Sequence, residues 1–129
     1  MKKLIKDATI INEGLKYRGS VLIDGEIIER IFPYAIPPDF DLTGVEIRNA
    51  ASLYLTPGAI DDQVHFREPG LTHKGDISTE SRAAVAGGVT SFMEMPNTNP
   101  QTVTQELLEQ KYRRAAEVSP ANFSFYMGA

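Results

Sequence analysis

Four polar side chains, Asp61, Gln63, His65 and Arg67, recur at every second position of the segment 60–70, Ile-Asp-Asp-Gln-Val-His-Phe-Arg-Glu-Pro-Gly. In a strand, alternate residues face opposite ways, so these four are expected on one face and Ile60, Val64 and Phe66 on the other. Such a polar row is costly to bury between helices unless it points into a polar site, and the carboxyl ends of parallel strands are where α/β proteins hold their ligands. A second segment, 93–100, reads Met-Glu-Met-Pro-Asn-Thr-Asn-Pro. Its prolines fix φ and its asparagines tolerate unusual backbone angles, which makes a stiff loop able to aim the Asn97 amide. A guanidinium at Arg67 and an amide at Asn97, converging above adjacent strands, suit a ligand carboxylate.

The chain has no cysteine and only two histidines, His65 and His73. Any metal must therefore be held by imidazole and carboxylate, because thiolate sites are excluded. His73, in a glycine-flanked loop, reads as structural. Glu80 and Arg82 read as a solvated helix face, Met93 and Met95 as packing, and Lys111, Arg113 and Arg114 as charges favoured near a helix C-terminus. The spacing leaves open which face of its strand carries Glu94.

Positioning these residues requires a scaffold. The first 57 residues predict short strands at 4–11, 20–24, 26–32, 45–48 and 52–55, rich in β-branched and apolar side chains. Asp24-Gly25 is the expected hairpin turn, since Gly supplies positive φ, and the proline-containing stretch 35–44 is expected as a loop. From residue 58 the pattern becomes strand 59–66, helix 77–86, strand 89–95, helix 104–118 and strand 122–127. The first helix has Asp76 or Ser78 as its cap and Gly87-Gly88 as its stop. The second has Thr102 or Thr104 as its cap and Leu107, Leu108, Tyr112, Ala115 and Ala116 as its apolar face. This βαβαβ order implies parallel strands with right-handed crossovers, either in an open doubly wound sheet or in a (β/α)8 barrel. The fold class is thus α/β, with domains at 1–57 and 58–129. A barrel needs eight units in about 250 residues; these residues supply about three and are not expected to be a complete enzyme.

Composition narrows the function classes. In 129 residues there are 13 Lys plus Arg against 17 Asp plus Glu, a net charge of −4, with 42% hydrophobic and 23% charged residues. A core of domain size is affordable, and without basic clusters nucleic acid is not an expected partner. No apolar run approaches the roughly 18 residues of a membrane span, so no membrane partner is expected.

The run 57–70, Pro-Gly-Ala-Ile-Asp-Asp-Gln-Val-His-Phe-Arg-Glu-Pro-Gly, with Ala-Gly-Gly-Val-Thr at 86–90 and Met-Pro-Asn-Thr-Asn-Pro at 95–100, resembles the dihydroorotase family of the amidohydrolase superfamily. The resemblance implies N-terminal strands that begin a small β-sandwich, followed by a metal-dependent (β/α)8 barrel that is incomplete here. It implies a cytoplasmic enzyme of pyrimidine biosynthesis, a homodimer as candidate assembly, and reversible hydrolysis of dihydroorotate to N-carbamoyl-L-aspartate by a metal-activated hydroxide. Arg67 and Asn97 match the family's substrate-carboxylate residues, and His65 matches the second histidine of its metal-binding His-x-His. Gln63 stands in place of the first. Because an amide oxygen is a weak zinc ligand, the cofactor expectation of one or two zinc ions divides three ways: a single metal, Gln63 as a weak or outer ligand, or a catalytically silent relative. The catalytic acid/base group is expected beyond residue 129. Other readings are a noncatalytic scaffold or binding subunit, and another cyclic amidohydrolase of the dihydropyrimidinase or allantoinase type.

Overall fold

Alternation and turn chemistry organise the first half of the chain into one sheet. The computed structural model describes residues 1–129, and the chain divides into two compact units, Met1–Pro57 and Gly58–Ala129.

The first unit contains β1 (Lys2–Asn12), β2 (Leu15–Asp24), β3 (Ile27–Pro33), β4 (Glu46–Asn49) and β5 (Tyr54–Leu55). They form a single sheet in the order β3-β2-β1-β4, with β5 also beside β1. β1, β2 and β3 are antiparallel neighbours, whereas β4 and β5 run parallel to β1. β2 starts at Leu15 rather than at residue 20, because Glu13 and Gly14, at φ 51° and 76°, turn the chain between the paired residues Asn12 and Leu15. The next hairpin lies one residue later than expected. Asp24 pairs with Ile27, so the turn is Gly25-Glu26, with the positive φ of 58° on its first residue. Segment 35–44 is a loop, but an apolar one. It lays Ile36, Phe40 and Leu42 over the buried Leu4, Leu22 and Phe32, with Phe32 and Phe40 edge to face at 4.8 Å. Proline blocks ladder pairing, and the side chains between the prolines still bury themselves on the sheet. Within these residues the expected sandwich is thus one sheet faced by a loop.

The second unit has the order β6 (Ala59–Val64), α1 (Ile77–Ala86), β7 (Val89–Glu94), α2 (Gln105–Val118) and β8 (Asn122–Phe125). Its sheet is β6-β7-β8, parallel throughout. The whole is a mixed α/β fold. Asp76 caps α1 by accepting from the Thr79 N–H at 2.8 Å in a reciprocal capping box, and Thr104 caps α2. The core is Phe66, Ile77, Phe92, Ala115, Ala121 and Phe125, with Leu108, Tyr112 and Val118 against it. The buried stripe of α2 is therefore 108, 111, 112, 115 and 118, the i, i+3, i+4, i+7 pattern. Ala116, expected on it, is exposed, and Lys111 occupies a buried position instead.

Candidate functional site

Each strand of the second unit ends earlier than simple alternation predicts, and the early endings shape the site. In β6 the register slips between Asp61 and Val64, and the Asp61 carboxylate accepts the Gln63 backbone N–H at 3.1 Å. β6 ends at Val64, so His65 and Arg67 of the expected row Asp61, Gln63, His65 and Arg67 lie beyond the strand. Val64 and Phe66 still pack on the core, while Gln63 and His65 are exposed. His65 Nδ1 lies 3.0 Å from Asn97 Oδ1. With the amide oxygen accepting from Nδ1–H, the His65 Nε2 lone pair is left free to bind.

Arg67 follows directly and adopts φ 72°, a left-handed conformation that costs a side-chain-bearing residue roughly 1–2 kcal/mol. Two hydrogen bonds hold it there: its N–H donates to Glu94 Oε1 at 3.0 Å, and its carbonyl accepts from Leu71 N–H at 3.0 Å. Its side chain takes part in none of the chain's ion pairs. Glu68 beside it is structural, with Oε2 accepting the Ile77 N–H at the start of α1 at 2.9 Å and Oε1 accepting from Arg114 Nε at 2.8 Å. The Arg67 loop is locked to the Asn97 loop. Asn99 N–H donates to the Pro69 carbonyl at 3.1 Å, and a Cβ added at Gly70 (φ 82°) would come within 1.9 Å of the Asn99 carbonyl oxygen. Glycine is required at that approach. Within the Asn97 loop, Thr98 Oγ1 donates to the Pro100 carbonyl at 2.9 Å and lies 3.1 Å from Thr102 Oγ1, both threonines being buried. The stiffness expected of this loop thus comes from threonine hydrogen bonds as well as from proline.

Beneath the loops lies an ion pair that the sequence reading missed. Glu94, the last residue of β7, and Lys111 of α2 each have 1% side-chain exposure, with Lys111 Nζ 2.7 Å from Glu94 Oε2. That contact is off hydrogen-bond angle, so Oε2 has an ionic partner without a hydrogen bond. The ammonium also donates to the Met95 carbonyl at 3.4 Å and sits 4.9 Å from the Phe125 ring centroid. Burial pushes the Glu94 carboxyl above its ordinary pKa, against the pull of Lys111 and of the Arg67 and Phe66 backbone N–H groups. The expected basic cluster at the end of α2 is thereby corrected: Lys111 is buried, Arg114 pairs with Glu68 and Glu117, and Arg113 pairs with Glu109 at the surface. One charge on each of two facing apolar stripes was the available signal.

Of the site residues expected from sequence, His65 and Asn97 are in contact, and Arg67 is tied to the end of the neighbouring strand by its backbone. Gln63 is exposed without a side-chain hydrogen bond, and His73 is exposed in its loop. As to a metal, the donors do not fit a zinc centre within these residues: His65 offers one imidazole, Gln63 a weak amide oxygen, and no three His, Asp or Glu side chains are gathered anywhere.

A family model described as dihydro-orotase-like matches residues 53–129. Among curated proteins, a dihydroorotase of Lactobacillus johnsonii is 40% identical over 113 residues, covering 88% of this chain and 25% of its own. One from Staphylococcus aureus is 42% identical over 98 residues, covering 76% and 22%. The chain thus spans about a quarter of the length of these relatives. Among solved structures, the dihydropyrimidinase of Brevibacillus agri superposes with a TM-score of 0.81 at 28% identity, covering 98% of this chain and 27% of its own. An L-hydantoinase from Arthrobacter aurescens superposes at 0.86 with 24% identity and the same coverage, a likeness of fold alone.

Proposed function

This chain belongs to the dihydro-orotase-like family, and from that membership we propose that the protein carrying it is a dihydroorotase. The reaction is reversible addition of water across the cyclic amide of dihydroorotate: the ring C–N bond breaks, hydroxide goes to the carbonyl carbon and a proton to the nitrogen, giving N-carbamoyl-L-aspartate. The observation that carries this reading is the locking of the Arg67 loop to the Asn97 loop through Pro69, Gly70 and Asn99. That lock ties together the backbones of the two loops that carry Arg67 and Asn97, and it supports the reading in which their guanidinium and amide orient a planar carboxylate.

The three parallel strands are taken as the opening βαβαβ of a (β/α)8 barrel, preceded by an N-terminal domain that ends at residue 57. Recognition of a small molecule is the part of the chemistry that these residues carry. Arg67 binds and Asn97 orients, with His65 fixed by Asn97 as the one strong donor toward a metal. The donor set does not make a zinc site, so the 129 residues alone are expected to lack turnover. The same reading places the protein in the cytoplasm, in pyrimidine biosynthesis.

The likeness to a dihydropyrimidinase at 28% identity favours a second reading, hydrolysis of a neutral cyclic amide. The two part on the ligand carboxylate. Assaying the full protein, with zinc analysis, on dihydroorotate and on a carboxylate-free dihydropyrimidine ring should give turnover of dihydroorotate and little of the neutral ring. Preference for the neutral ring would establish the second reading. Absence of turnover on both rings from a zinc-free protein would establish a noncatalytic relative.

A further inference from the structure

Two facts about the end of β7 meet in one side chain. Glu94 is fully buried, and its side chain meets the residues assigned to recognition at a backbone N–H alone. Its Oε1 accepts the backbone N–H of Arg67, in the only non-glycine residue of the second unit with positive φ. Its partner Lys111 reaches across to the carbonyl of Met95, two residues before Asn97. A buried carboxylate and ammonium thus hold the backbones of both recognition loops, one through each partner. A purely structural pair could be placed anywhere in the core, whereas this one is bonded where the chain leaves β6 and where it leaves β7.

We propose that Glu94 and Lys111 are positioning residues that set the Arg67 and Asn97 loops for a carboxylate ligand through their backbone bonds to Arg67 and Met95. The inference rests on the dihydroorotase reading of Arg67. Removing both charges together leaves neither buried unpaired, and such exchanges for apolar residues are commonly tolerated. In the full protein, Glu94→Met with Lys111→Met therefore deletes the acceptor for the Arg67 N–H without stranding a charge. Glu94→Gln with Lys111→Met keeps an oxygen in its place.

The first double variant should raise KM for dihydroorotate about tenfold, with a much smaller change in kcat and no change for a carboxylate-free ring. The second should return KM toward that of the unaltered protein. On an Arg67→Ala background the first double variant should add only the smaller loss that Asn97 still contributes. Unchanged KM in the folded variant, equal loss on both rings, or a full added loss on the Arg67→Ala background would overturn the proposal. If Arg67→Ala alone spares dihydroorotate, the dihydroorotase reading fails first and the inference falls with it. Amide hydrogen exchange of Arg67 in the unaltered protein does not depend on any variant folding: slow exchange supports the bond to Glu94, and exchange at the rate of a free loop amide overturns it.

Discussion

Two polar pairs stand at the same end of the β6-β7-β8 sheet and differ in almost every physical respect. His65 and Asn97 are exposed and joined by one 3.0 Å bond. Glu94 and Lys111 are sealed at 1% side-chain exposure, oppositely charged and bonded onward to backbone. Polar residues at strand ends therefore do two kinds of work. The open pair keeps a free nitrogen at the surface, and the sealed pair holds the loops that present it. The energetic consequence is lopsided, because a buried charge deprived of its partner is expensive whereas an exposed hydrogen bond is readily replaced by water.

The contrast breaks most sharply at Lys111. Lys111→Met alone strands Glu94 and should destabilise the protein by about 3 kcal/mol, read as a shift in the urea midpoint; a negligible shift would mean that the pair is not sealed. Gly70→Ala forces a side chain onto the Asn99 carbonyl at positive φ and should cost about 2 kcal/mol, with dihydroorotate binding weakened as the Asn97 loop moves. On the open side, Asn97→Ala should leave stability within about 0.5 kcal/mol. A larger loss in calorimetry would make the His65–Asn97 bond structural.

The smallest effect lies with Asp76, whose carboxyl is held below its ordinary pKa by the Thr79 backbone N–H. As pH falls, the unfolded chain takes up that proton first. The contribution of the cap is thus complete above the unfolded pKa and is lost as pH drops through the folded one. Asp76→Asn should flatten that part of the acid limb of the stability curve and leave neutral behaviour nearly unchanged.

The sequence makes the contrast only half legible. Helix α1 can be read to its ends because Asp76 and Gly87-Gly88 mark them in local chemistry. The meeting of the two loops follows from their places after neighbouring parallel strands. Alternation says nothing of the end of β6 at Val64 or of the positive φ of Arg67, so it carries the strand too far and through Arg67. Likewise a lysine on a helix reads as solvent-facing until the carboxylate opposite it is known. The Glu13-Gly14 turn escapes notice because glutamate is not a usual residue for positive φ. The hidden pair was thus the least legible part, its two halves lying on different elements.

The most direct test lies at Arg67. Calorimetric titration of the full protein with dihydroorotate and with a carboxylate-free dihydropyrimidine ring, before and after Arg67→Ala, separates recognition of the carboxylate from every other contribution. An affinity loss of about 100-fold for dihydroorotate is expected, with the neutral ring unaffected. An equal loss for both ligands, or none for dihydroorotate, would contradict that expectation.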